Sequence, residues 1–133
     1  MTIRELSQLY YLRREIAKCE EELAELRARA MSPATAGLSN VGRKSGVVKK
    51  IEKDVEKIHQ LEELVRERLH RSNVERIKLE LYIAAIEDAH TRLIFEARFV
   101  RGLRWEQVAD VQGGNNTADG VRMVCVPHIN LHP

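Results

Sequence analysis

Along residues 9–30 the apolar positions alternate in steps of three and four: Leu9, Leu12, Ile16, Cys19, Leu23, Leu26, Ala30. That spacing is the narrow stripe of a coiled-coil seam and predicts a helix over about residues 2–30. Glu20, Glu21, Glu22 and Glu25 share its other faces with Arg14, Lys18, Arg27 and Arg29. Ion pairs within a turn add a few tenths of a kcal/mol each. So thin a stripe does not make a globular core helix; it calls for a partner helix. Residues 31–46, MSPATAGLSNVGRKSG, break the pattern and read as a long connector. From Val47 helical character resumes without Pro or Gly until Gly102. Val48, Ile51, Val55, Ile58, Leu61, Val65 and Leu69 form its first stripe, continued by Ile77, Leu81, Ala84 and Ala85. A helix reaching about residue 85 is roughly 55 Å long and can lie antiparallel along the first. Alternatively, the first helix pairs with its copy in another chain. A two-helix hairpin alone buries too little apolar surface, so a homo-oligomer through the N-terminal helices is expected.

Past Ile86 the apolar density rises, with Leu93, Ile94, Phe95, Ala97, Phe99, Val100 and Leu103. This predicts a break near 87–91 and then the first helix of a terminal module. Gly102 stands where a helix ends on a left-handed residue. A short helix follows over 105–111, then a Gly113-Gly114-Asn115-Asn116 turn, then a last helix with Val121 and Val124 facing inward. Ala109 is small enough for another helix to cross closely. Asn116 is expected to cap the last helix, with Asp119 completing a capping-box-like pair. Pro127 is expected to end it. Arg104 is a poor N-cap for the helix it precedes, a loss of about 1 kcal/mol, and Gly120 costs about 1 kcal/mol relative to Ala. The fold class is therefore all-α: a long N-terminal helical hairpin or coiled coil over 1–85, then a small helix-turn-helix module over 86–133.

Arg98, Phe99, Gly102, Leu103, Trp105, Val108 and Ala109 fall at the arginine, aromatic, glycine-leucine and aliphatic-alanine positions of a known module. The segment resembles the region-four domain of sigma factors and its phage relatives. The whole layout is similar to small phage-encoded transcription regulators of the RinA/ArpU kind. Where that family carries a Ser or Thr cap, this chain has Arg104. The resemblance implies a DNA-binding transcription regulator of phage or prophage origin, working in the major groove as a dimer or together with RNA polymerase. The recognition helix would present Thr117, Ala118, Asp119, Arg122 and Met123. Arg122 suits a guanine edge and Thr117 a base or a phosphate, while Arg98, Arg101 and Arg104 suit backbone phosphates.

Charge complicates that expectation. From Ile86 onward the chain has five Arg and no Lys against six acids (Glu87, Asp88, Glu96, Glu106, Asp110, Asp119), a net of −1. A DNA reader ordinarily shows a basic footprint, so a second module in a dimer or RNA polymerase has to supply affinity. Arg43, Lys44, Lys49, Lys50, Lys53 and Lys57 form a basic run, interrupted by Glu52, Asp54 and Glu56. It reads as a solvated helix face, with a second phosphate contact as the alternative.

With 32% charged and 5% aromatic residues in 133, the chain has material for one domain, or a small domain with an extension. No apolar run approaches the roughly 18 residues of a membrane span, and the charged start MTIRELSQLYYLRREI lacks a signal-peptide core. A cytoplasmic protein with no membrane partner is expected. Cys19 and Cys125 lack CxxC spacing, and His128 and His132 flank no fixed helical face. No catalytic grouping, metal site, phosphate loop or cofactor motif is present in the sequence, so no enzyme is expected. Trp105 reads as core. The alternative function is a non-enzymatic structural or assembly protein whose helices make only protein–protein contacts.

Overall fold

The computed structural model describes residues 1–31 and 44–131. Among these the chain is all-α. The elements are α1 (Ile3–Leu6), α2 (Gln8–Ala30), α3 (Lys44–Ala84), α4 (Ala89–Phe95) continuing into a π-helical turn (Glu96–Val100), α5 (Trp105–Gln112) and α6 (Ala118–Leu131). Most of the connector expected over 31–46 lies outside the described residues, as do Arg43 and His132. Two compact units are present: Arg14–His70, and Met1–Arg13 with Arg71–Pro133.

In the first unit the α2 stripe is buried as its spacing predicts. Ile16, Leu23 and Leu26 meet Leu61 and Val65 of α3, with Cys19, Ile58 and Leu64 packed alongside. Arg68–Glu15 (2.9 Å), Arg27–Glu62 (2.9 Å) and Lys57–Glu22 (3.3 Å) tie the two helices together. Low numbers on α2 pair with high numbers on α3, so the helices are antiparallel. The hydrogen bond from Arg27 holds the Glu62 carboxyl below its usual range. Such exposed pairs contribute little; the apolar seam carries the association. The partner that the α2 stripe calls for is the chain's own α3, so the seam supplies no reason for a second chain. Lys49, Lys50 and Lys53 are exposed, which fits a solvated helix face.

The second unit corrects the expected α3 stripe. Ile77 and Leu81 are 55% and 69% exposed, whereas Leu79, Ile83 and Ile86 are buried. Ser72, Leu79 and Ile86 are buried at heptad spacing. The polar Ser72 at the start of that face hides it from a hydropathy reading. Leu6 and Leu9 join the same core with Ile94, Phe95, Phe99, Val108, Ala109, Val121, Cys125 and Ile129. The break between α3 and α4 spans residues 85–88, slightly earlier than the 87–91 expected, and residues 89–91 already belong to α4. Asp88 caps α4, accepting from the Thr91 hydroxyl (2.7 Å) and N–H (2.9 Å), which keep its carboxyl below the usual range. Arg92 donates to the Ile86 and Glu87 carbonyls at 2.6 and 2.8 Å, satisfying acceptors left free where α3 ends.

Both cysteines are free, Cys19 half-buried and Cys125 buried. Burial pushes the Cys125 thiol up to about 12, and the thiolate is the reactive form. A disulfide reagent at neutral pH is therefore expected to modify Cys19 alone in the native protein and to reach Cys125 only in denaturant. Rapid modification of both would contradict this burial.

Candidate nucleic-acid interface

The terminal helices are positioned by the break at Gly102. The π turn is closed by the Arg101 N–H reaching the Glu96 carbonyl (3.0 Å), and the Leu103 N–H reaches Ala97 (3.1 Å). Gly102 then takes φ +71, as a helix-ending glycine should, and its α-carbon faces the Tyr10 ring, whose Cδ2 lies 3.5 Å from where a Cβ would stand. Arg98 is half-buried here: it donates to the Leu103 carbonyl at 2.9 Å, and its guanidinium lies 4.7 Å from the Trp105 ring centroid. Trp105 in turn stands edge-on to Phe99 at 6.5 Å. Arg98 thus serves the scaffold, while Arg101 and Arg104 are exposed. Arg13, which no local sequence pattern singles out, donates to the Val100 carbonyl.

Helix α5 begins without a side-chain acceptor from Arg104, as its chemistry requires. Gln107 supplies the other half of a capping box, its Oε1 accepting from the Arg104 N–H at 2.9 Å. Val108 and Ala109 are buried in the core. Gly113 and Gly114 take positive φ in the turn.

The cap of α6 is a correction. Asn116 turns back, its Nδ2 donating to the Gly113 carbonyl at 2.7 Å. Thr117 is the N-cap, its Oγ1 accepting from the Gly120 N–H at 3.0 Å. A Cβ on Gly120 would stand 3.0 Å from that same Oγ1, so a side chain here would crowd the capping hydroxyl. Along α6, Val121 (1% exposed), Cys125 and Ile129 face the core with Val124 packed beside them. The opposite side brings together Thr117, Asp119, Arg122 and Met123, all exposed, with Ala118 half-buried at its edge.

The end of α6 is a second correction. Pro127 lies inside the helix, which continues to Leu131. An interior proline costs about 3 kcal/mol through its lost N–H and ring clash. Downstream contacts offset it: Ile129 is buried, and His128 stands edge-on to Phe95 (5.3 Å) and Tyr82 (6.2 Å). Among the described residues no group of acids, histidines and cysteines is placed to hold a metal, and no helix is long and apolar enough to cross a membrane. In comparisons with protein-family models, curated proteins and solved structures, the chain matches none.

Proposed function

We propose that the chain is a DNA-binding transcription regulator of phage or prophage origin, with α6 as the recognition helix in the major groove. One observation carries this reading: the buried Val121, Cys125 and Ile129 edge of α6 leaves Arg122 and Met123 outward on a helix fixed at its start by Thr117. A helix-turn-helix reads base edges from the outward, N-terminal part of its second helix. Arg122 is the guanine reader. Asp119 suits a cytosine amino group, and the Thr117 hydroxyl, accepting from Gly120, keeps its own proton to donate to a phosphate. Backbone contacts fall to the exposed Arg101 and Arg104, since Arg98 is half-buried over the Trp105 ring. The regulator acts as a dimer or with RNA polymerase, either of which supplies affinity that this module's own charge does not.

Titrating a labelled duplex library at about 50 to 200 mM salt tests the reading, because phosphate-driven affinity falls steeply over that range. Binding is expected at the low end, and Arg122→Ala should weaken the preferred sequence by about 1–3 kcal/mol without changing the melting temperature. Absence of binding at the lowest salt would remove this reading. It would favour a module for protein contact alone, which the net −1 beyond Ile86 and the exposed Leu93, Val111 and Met123 also suit.

A further inference from the structure

The Gly102 break brings an arginine of the N-terminal helix to the arginines of the terminal module. Two guanidinium groups are fixed on carbonyls of this one break. Arg13 donates to Val100, and Arg98 donates to Leu103 while lying over Trp105. Arg101 and Arg104, on either side of Gly102 and Leu103, are exposed. Tyr10, one turn before Arg13 on α2, lies against Gly102, so the two segments meet along their length. Residues 6–14 and 97–105 contain no acid, and Glu15, Glu96 and Glu106 stand just outside them. Among the described residues none of these four arginines is paired with a carboxylate.

Arginines on one break that form no ion pair leave a local positive potential, which an anion can neutralise. An arginine also keeps further N–H donors after one has capped a carbonyl: its fork presents five. Pinning one arm on the backbone fixes where the remaining arms point, which lowers the entropic loss of binding. We infer that Arg13, with Arg101 and Arg104, forms a phosphate clamp that grips the DNA backbone, so that the N-terminal helix takes part in nucleic-acid binding. This rests on the DNA-binding reading and adds to it a contact some 87 residues away in sequence from the break it serves. The alternative role for Arg13 is purely structural, as a cap for the last carbonyls of the α4–π helix.

The test compares full-length protein with Arg13→Gln and Arg13→Lys in binding a mixed-sequence duplex, reading the slope of log affinity against log salt. Each phosphate neutralised contributes about 0.9 to that slope. Arg13→Gln should lose about one such unit and bind several-fold more weakly at low salt. Arg13→Lys, which keeps the charge, should retain the slope. A structural cap alone would lower the melting temperature of Arg13→Gln but leave the slope at its wild-type value, and that result overturns the clamp while leaving DNA binding intact. Should Arg13→Gln fail to fold, Arg101→Gln, at an exposed side chain, takes its place in the slope measurement together with Arg13→Lys. An unchanged slope for Arg101→Gln, or a lost one for Arg13→Lys, then overturns the clamp. Wild-type protein that binds no duplex overturns both this inference and the reading beneath it.

Discussion

Phe95→Ala is expected to cost about 3–5 kcal/mol, a large part of the roughly 5–15 kcal/mol that holds a domain folded. On the size scaling of small domains that is a fall in melting temperature on the order of 15 °C. Phe95 is fully buried, and its ring touches three further parts of the second unit: Phe99 in the π turn at 5.4 Å, His128 in α6 at 5.3 Å and Tyr82 in α3 at 6.2 Å. No one neighbour can move in to fill the space without loosening the others, so the cavity term stays large. There is a local consequence too. The helix beyond Pro127 persists because His128 and Ile129 are anchored, and Phe95 is the ring on which His128 rests. Backbone amides beyond Pro127 should therefore exchange with solvent before those of α5 in this variant. Thermal melting followed by circular dichroism, with hydrogen exchange, measures both effects. A loss below about 1 kcal/mol would be in the range of an ordinary surface change and would mean that Phe95 is not the centre of this core.

The sequence is most legible where one local pattern decides the outcome. The α2 stripe is unbroken from Leu9 to Leu26, and those residues are buried apart from half-buried Cys19. Gly102 needs only a positive φ, and Val108, Ala109 and Val121 follow from helical spacing. Legibility fails where a tertiary contact outweighs a local preference. The inward face of α3 passes through Ser72, so the more hydrophobic but exposed Ile77 and Leu81 were the stronger signal. Pro127 is a correct stop signal in isolation and is overruled by rings from α3 and α4. Asn116 and Thr117 are both good caps; the turn uses the first for its own closure and leaves the second to α6. For the candidate interface, the outward face of α6 could be read from spacing alone. The contribution of Arg13 could not, because nothing near it in sequence refers to Val100.

Leu6→Ala should be nearly as damaging as the Phe95 change, at about 3–5 kcal/mol, although Leu6 is far in sequence from every helix of the terminal module. The start of the chain is built to deliver this residue. Thr2 and Glu5 form a reciprocal capping box, with the Thr2 N–H on Glu5 Oε2 at 2.7 Å and the Glu5 N–H on Thr2 Oγ1 at 3.2 Å. That box opens α1 so that Leu6 (0% exposed) and Leu9 (2%) enter the core beside Leu79, Ile83 and Val108. The helix-turn-helix is therefore not a detachable piece. A fragment of residues 86–133 would lose Leu6, Leu9, Leu79 and Ile83 from its core and expose the faces they cover. Chains under about 70 residues rarely gain more than 3–5 kcal/mol from a complete core, so a fragment lacking those four should have no cooperative melting transition. The full chain carrying Leu6→Ala should melt earlier than the wild type, in a transition that remains cooperative. A fragment that melts cooperatively, or a Leu6→Ala protein as stable as the wild type, would show that the N-terminal helix only accompanies the module. In that event α1 and the start of α2 would have no part in holding α6 in place.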